Sequence, residues 1–235
     1  MKKIKTPWGS ITTEVSLLPI FYLIFIYGFV YILPYGKILI GVSWFDWLRS
    51  EDGPLEWLQF FEYAISSLIC FLIYFKIKNK KSIDSFIWLI IGAACFFIAA
   101  EEISWGERIF GYSIKSLAEL SIQGETNLHN LPFFHNYVLD PALQIICLFL
   151  GWIGWKKWPH LISLPSKKLC LFFLLVSLYF FYYEVSWFST VQHIRNDQEI
   201  FELLLPTGLF LHCWEGFKNL LKIEYKNKIS NKINE

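Results

Sequence analysis

The chain has 235 residues, of which 55% are apolar, 20% aromatic and only 17% charged. Water-soluble domains carry about 25% charged residues, so this composition excludes an ordinary soluble globule; it equally excludes disordered, collagen-like and coiled-coil chains. The net charge is +1, and with three Arg and no mixed basic and aromatic patch the chain is not expected to bind nucleic acid.

Six apolar stretches reach or approach the roughly 20 residues that cross a bilayer core. In order they are Val15–Leu33, Leu55–Phe75, Phe86–Trp105, Tyr137–Trp155, Leu169–Phe188 and Ile200–Leu221. Lipid offers no partner for free backbone groups, so each is expected to be helical. The expected fold is all-α: an integral membrane bundle of six transmembrane helices, one domain over residues 1–235, with 222–235 as a basic cytoplasmic tail. The first stretch follows Met1-Lys2-Lys3, yet it is too long for a signal peptide and no small-x-small site follows it, so it reads as a retained span. Pro141 and Pro206 are candidates to kink their spans.

Sixteen of the eighteen Lys fall before span 1, between spans 2 and 3, between spans 4 and 5, or at and after the end of span 6. The positive-inside rule makes that side cytoplasmic, with both termini inside and the cell membrane as location. Trp44, Trp47, Trp57, Trp105 and Trp187 then fall at the outer boundary, and Trp8, Trp88, Trp155, Trp158 and Trp214 near the inner one, as two interfacial belts. Cys70, Cys95, Cys147, Cys170 and Cys213 all sit within apolar runs without a CxxC pair, which suits packing rather than a disulfide framework or thiolate metal site.

The outer face is chemically richer. Fifteen of the twenty acids, all three Arg and three His (His129, His135 and His193) belong to it. Three odd spans end in similar words, Val42-Ser43-Trp44, Glu102-Ile103-Ser104-Trp105 and Glu184-Val185-Ser186-Trp187, consistent with a helical-hairpin repeat or with convergent use of interfacial Trp. Glu62, Glu101, Glu102 and Glu184 lie in the outer third of their spans, where a carboxylate costs free energy unless it faces the bundle and is paired or protonated. On a continuing helix Glu101, Trp105 and Arg108 share a face, with Ser104 the nearer partner of Glu101. At the start of span 6, Asp197 and Glu199 suit helix capping, whereas Glu202 lies one turn deeper. His212 and Glu215, one turn apart, are expected to pair.

These positions yield a candidate site. Glu101, Glu102, Glu184 and Glu202 are the catalytic carboxylates. Glu102, His129 and His193 are ligands for a divalent metal such as zinc, since catalytic zinc sites combine His and carboxylates from separate elements. Arg108, Trp105, Asn127, Asn130 and Arg195 are the substrate-binding groups, Arg108 suited to an anionic headgroup. No HExxH or HxxxH word supports the metal. The bland alternative is an interfacial cluster of acids and Arg that merely ends a helix.

Ala100-Glu101-Glu102-Ile103-Ser104-Trp105-Gly106-Glu107-Arg108-Ile109-Phe110-Gly111, followed by Gln123-Gly124-Glu125-Thr126-Asn127-Leu128-His129-Asn130, resembles a family of uncharacterised bacterial polytopic membrane proteins with AEEISWG[QE]RIFG and QxExNLHN segments. The resemblance covers about 30 residues and implies a helical integral protein of the bacterial inner membrane; it implies no mechanism. The EExxxR, FxxxH and HxxxN words of CAAX-protease-like enzymes, the GxSG of rhomboids and the HxxxH of alkaline-ceramidase-like enzymes are missing. The expected function is therefore a hydrolase or transferase acting at the outer leaflet on a lipid or lipid-linked substrate. The alternative is a non-catalytic carrier or an assembly partner for another membrane protein.

Overall fold

A computed structural model describes residues 4–6, 9–11, 15–27, 47, 53–77, 81–121, 126–128, 131, 133, 137–185 and 198–233. The described residues are almost entirely helical. Their one sheet is a short antiparallel ladder of β1 (Ile4–Thr6) and β2 (Gly9–Ile11), with Lys5 opposite Ser10. The longer helices are α1 (Leu18–Tyr27), α2 (Pro54–Lys76) and α3 (Ile83–Glu102). Short turns α4 (Glu107–Phe110) and α5 (Lys115–Ala118) follow. Next come α6 (Leu139–Leu148), a π-helical turn (Phe149–Ile153), α7 (Gly154–Lys157) and α8 (Cys170–Val185). The chain ends in α9 (Gln198–Glu202) and α10 (Leu204–Ile233).

Local chemistry explains the clearest boundaries. Pro54 opens α2 in the first turn, where its missing N–H costs nothing. Ser82 caps α3 by accepting from the Ser85 amide at 3.2 Å, and Asp84 complements the positive end of the helix. Pro141 sits in the first turn of α6 and produces no kink there. Pro206 behaves differently. It cannot donate to the Glu202 carbonyl four residues earlier, and the helix breaks at Leu203, separating α9 from α10.

Among the described residues, two helices are long and apolar enough to cross a membrane, α2 and α3. The expectation of six such helices is not met there, for identifiable reasons. α1 is described over only 10 residues, the fourth stretch is divided by its π-helical turn, and α8 is described over 16. The last stretch is cut by Pro206, and α10 then runs on into the lysine-rich segment, so most of the expected tail is helical.

α2 turns an apolar stripe outward and buries a mixed face, in which polar side chains accompany Leu55, Tyr63, Ile69, Cys70 and Ile73. Leu58, Phe61, Ile65, Leu68, Leu72 and Phe75 form an exposed stripe, while Glu56, Gln59, Ser66 and Ser67 are buried. Water disfavours so long an exposed apolar stripe, and apolar surroundings favour it. Packing is close where side chains are small. Ser67 Oγ donates to the Gly92 carbonyl of α3 at 2.8 Å. A Cβ on Gly208 would stand 2.8 Å from Phe172 Cβ, so glycine lets α10 approach α8. The main core joins Phe172, Phe173, Val176 and Phe180 of α8 to Leu204, Leu205 and Leu209. The five cysteines are free and buried, with Cys70 Sγ 3.2 Å from Cys213 Sγ.

Candidate functional site

Two acidic constellations emerge. The first begins where α3 stops. The helix does not continue through Trp105: Ser104, Trp105 and Gly106 adopt positive φ of 47°, 55° and 91°. Only the glycine takes this geometry freely; for the other two it costs roughly 1–2 kcal/mol each. Surrounding bonds hold them there. Glu101 accepts from the Trp105 indole N–H and, through its other oxygen, from the Leu128 amide at 2.7 Å. Tyr112 Oη donates to the Trp105 carbonyl at 2.6 Å, and Asn127 Nδ2 to Ser104 Oγ at 3.3 Å. Glu107 accepts from the Thr126 amide at 2.7 Å, while Thr126 Oγ1 accepts from the Ile114 amide at 2.8 Å. The AEEISWG word and residues 126–128 therefore form one clasp, which ties these three residues to the end of α3.

This geometry corrects two expectations. Trp105 meets Glu101 through a sharp left-handed turn rather than along a helix face, and the Trp105 indole takes the place expected of Ser104. Ser104 instead holds Asn127, which is fully buried. Both Glu101 oxygens accept hydrogen bonds, an arrangement that suits a fixed anchor better than a general base.

The second constellation lies between α2, α3, α9 and the start of α10. Glu199 interacts electrostatically with Glu202, Glu102 and Glu56, and Gln59 Nε2 donates to Glu199 Oε2 at 2.8 Å. Gln198 Nε2 donates to Glu202 Oε1 at 2.7 Å, and Thr207 Oγ1 to Glu62 Oε2 at 2.8 Å. Tyr63, buried at 3% exposure, feels both Glu102 and Glu202. Burial and the neighbouring carboxylates hold the Glu199 carboxyl well above the ordinary carboxylate range. Expecting Glu199 to act only as a cap understates it. Gln59 and Thr207 were not legible as site residues; the available signal was an amide and a hydroxyl inside otherwise apolar runs, next to the acids.

The remaining expected positions divide as follows. Glu102, Glu202, Trp105 and Asn127 are placed as described. Arg108 falls in α4 and Glu184 in the last turn of α8; their side chains lie outside the described part. His129, Asn130, His193 and Arg195 lie outside the described residues. Among the described residues no group of three or more His, Cys, Asp or Glu is placed to hold a metal ion. His212 and Glu215 take different hydrogen-bond partners. His212 Nε2 lies 3.0 Å from the Ser163 carbonyl and the ring stacks on Trp88, while Glu215 receives Lys168 Nζ at 2.6 Å.

Comparison with family models, with curated proteins and with solved structures gives no match.

Proposed function

We propose that the chain is a six-helix protein of the bacterial inner membrane, both termini on the lysine-bearing cytoplasmic side. In this reading it belongs with the polytopic proteins its AEEISWG and NLHN words resemble. It acts at the outer leaflet as a hydrolase or transferase on a lipid or lipid-linked substrate. Glu102 and Glu202 are its acid–base pair, Glu199 is the neighbouring proton reservoir, and Glu101 positions the loop above. The observation carrying this reading is the placement of Glu199, held by Gln59 at 2.8 Å and within electrostatic reach of Glu202 and Glu102. Carboxyls that raise one another's proton affinity ionise unequally, so one can hold a proton while another accepts one, which is the requirement of general acid–base chemistry. The exposed apolar stripe of α2 supports the membrane setting.

The test is reconstitution in nanodiscs made from a total bacterial lipid extract, with lipids followed by mass spectrometry. Wild type should generate a new lipid species that Glu202→Gln and Glu102→Gln do not, each variant retaining its size-exclusion profile. Identical lipid profiles for all three refute the enzyme. A second reading, a carrier or assembly partner, is favoured by one observation: the most conspicuous acid, Glu101, is committed to the clasp. It predicts unchanged lipids together with a stoichiometric membrane-protein partner lost on Glu101→Ala.

A further inference from the structure

A cavity of about 510 Å³ lies at the lysine-bearing end of the bundle, far along α2 and α10 from the acids. That volume is of the size that holds small-molecule ligands. Ile73, Trp88, Trp155, Trp158, Leu164 and Lys167 are among its walls. One wall is pre-built. Ser163 donates to Asp84 Oδ1 from its amide at 2.9 Å and its hydroxyl at 2.6 Å, while its carbonyl meets His212 Nε2. The 158–167 segment is thereby fixed to both α3 and α10.

The polar groups of this cavity are unequal. Trp88 is 1% exposed and stacks on His212 at 4.9 Å between ring centroids, yet its indole N–H has no hydrogen-bond partner among the described residues. A buried donor in that condition is rare and needs an explanation. Lys167 brings a cation, its Nζ 5.5 Å from the centre of the Trp155 ring. The carboxylate on the wall, Glu215, already receives Lys168. The Trp88 nitrogen itself is closed off from the cavity, which presents a cation on an apolar, aromatic surface, so its complement must supply negative charge and an apolar body.

We propose that this cavity binds an acyl-chain amphiphile with an oxyanion head, the chain lying along the Trp and Leu walls and the head at Lys167. Free fatty acids and anionic phospholipids share this chemistry. The site is independent of the acid cluster and of any reaction there.

The experiment titrates full-length protein in phosphatidylcholine nanodiscs with 11-(dansylamino)undecanoic acid, reading energy transfer from tryptophan. Saturable binding is expected. Asn219→Trp, which fills the rim from an exposed position, should abolish it; Ile162→Trp, also on the exposed rim, serves if Asn219→Trp does not fold. Lys167→Gln should weaken binding about tenfold, the value of a hydrogen bond to a charged group. Hexadecanoate should displace the probe and hexadecanol should not. Displacement by dihexanoyl phosphatidylglycerol as well assigns the phospholipid as a source, and displacement by hexadecanoate alone assigns the free acid. Equal signals from wild type and both rim variants would mean simple partitioning into the bilayer and would overturn the site. Equal displacement by hexadecanol, or unchanged affinity in Lys167→Gln, would overturn the oxyanion.

Discussion

Replacing Glu101 with Gln is the sharpest perturbation of the clasp. The carboxylate accepts through both oxygens, from the Trp105 indole and the Leu128 amide. A glutamine keeps one acceptor and sets an NH₂ against the other donor. The loss is one hydrogen bond to a charged acceptor, about 1.5–3 kcal/mol, plus the cost of a donor left without a partner, about 1–3 kcal/mol. Taking about 3 kcal/mol for the sum, local opening of residues 126–128 becomes about a hundredfold more frequent, at 1.4 kcal/mol per tenfold. Amide hydrogen exchange of detergent-solubilised protein measures this directly. The Leu128 amide should lose about two orders of magnitude of protection, while amides in the middle of α2 stay unchanged because the break is local. Trp105→Phe, which spares the Leu128 bond, should lose about one order. A rise in Leu128 exchange below threefold in Glu101→Gln would refute the clasp.

Other consequences are equally measurable. Gly208→Val drives side-chain atoms into Phe172 and Phe173 and should cost about 2 kcal/mol by overpacking, seen as a lower Tm; an unchanged Tm would contradict the close approach of α10 to α8. Asp84→Ala removes the acceptor of both Ser163 donors and should speed trypsin cleavage at Lys167 and Lys168, with cleavage at the wild-type rate as the refuting result. Glu199 is protonated when folded but ionises when unfolded as pH rises above about 4.5, its ordinary value, so folding takes up a proton and this group's contribution to stability declines with rising pH. Glu199→Gln should flatten that decline between pH 5 and 8; equal slopes in the two proteins would count against it.

Much of the helical frame was readable from the chain. The expected stretch Leu55–Phe75 differs from α2 by one residue at each end because an apolar run, an initial proline and a terminal lysine all act locally. The expected Phe86–Trp105 overshoots α3, since nothing in Ile103-Ser104-Trp105 encodes a left-handed turn; only Gly106 hints at one. That turn is imposed by Asn127 and Leu128, more than twenty residues away in sequence. The same limit governs the site. Acids placed deep in apolar runs were visible as costly and therefore as used, but which of them meet depends on the packing of α2 against α9. Gln59 and Glu199 are 140 residues apart, and no local pattern joins them. Hence Glu101 reads as a catalytic candidate in the sequence and stands as an anchor in the fold.

The clasp also sets an order of events during synthesis. Glu101 finds its second donor 27 residues later, an interval of roughly one to five seconds at ribosomal speed. Until Leu128 emerges, the newly made α3 carries an acid at its far end that is only half satisfied. The pairing of α2 with α3 does not wait for this, but the far end of α3 stays open until the following segment arrives and closes over it.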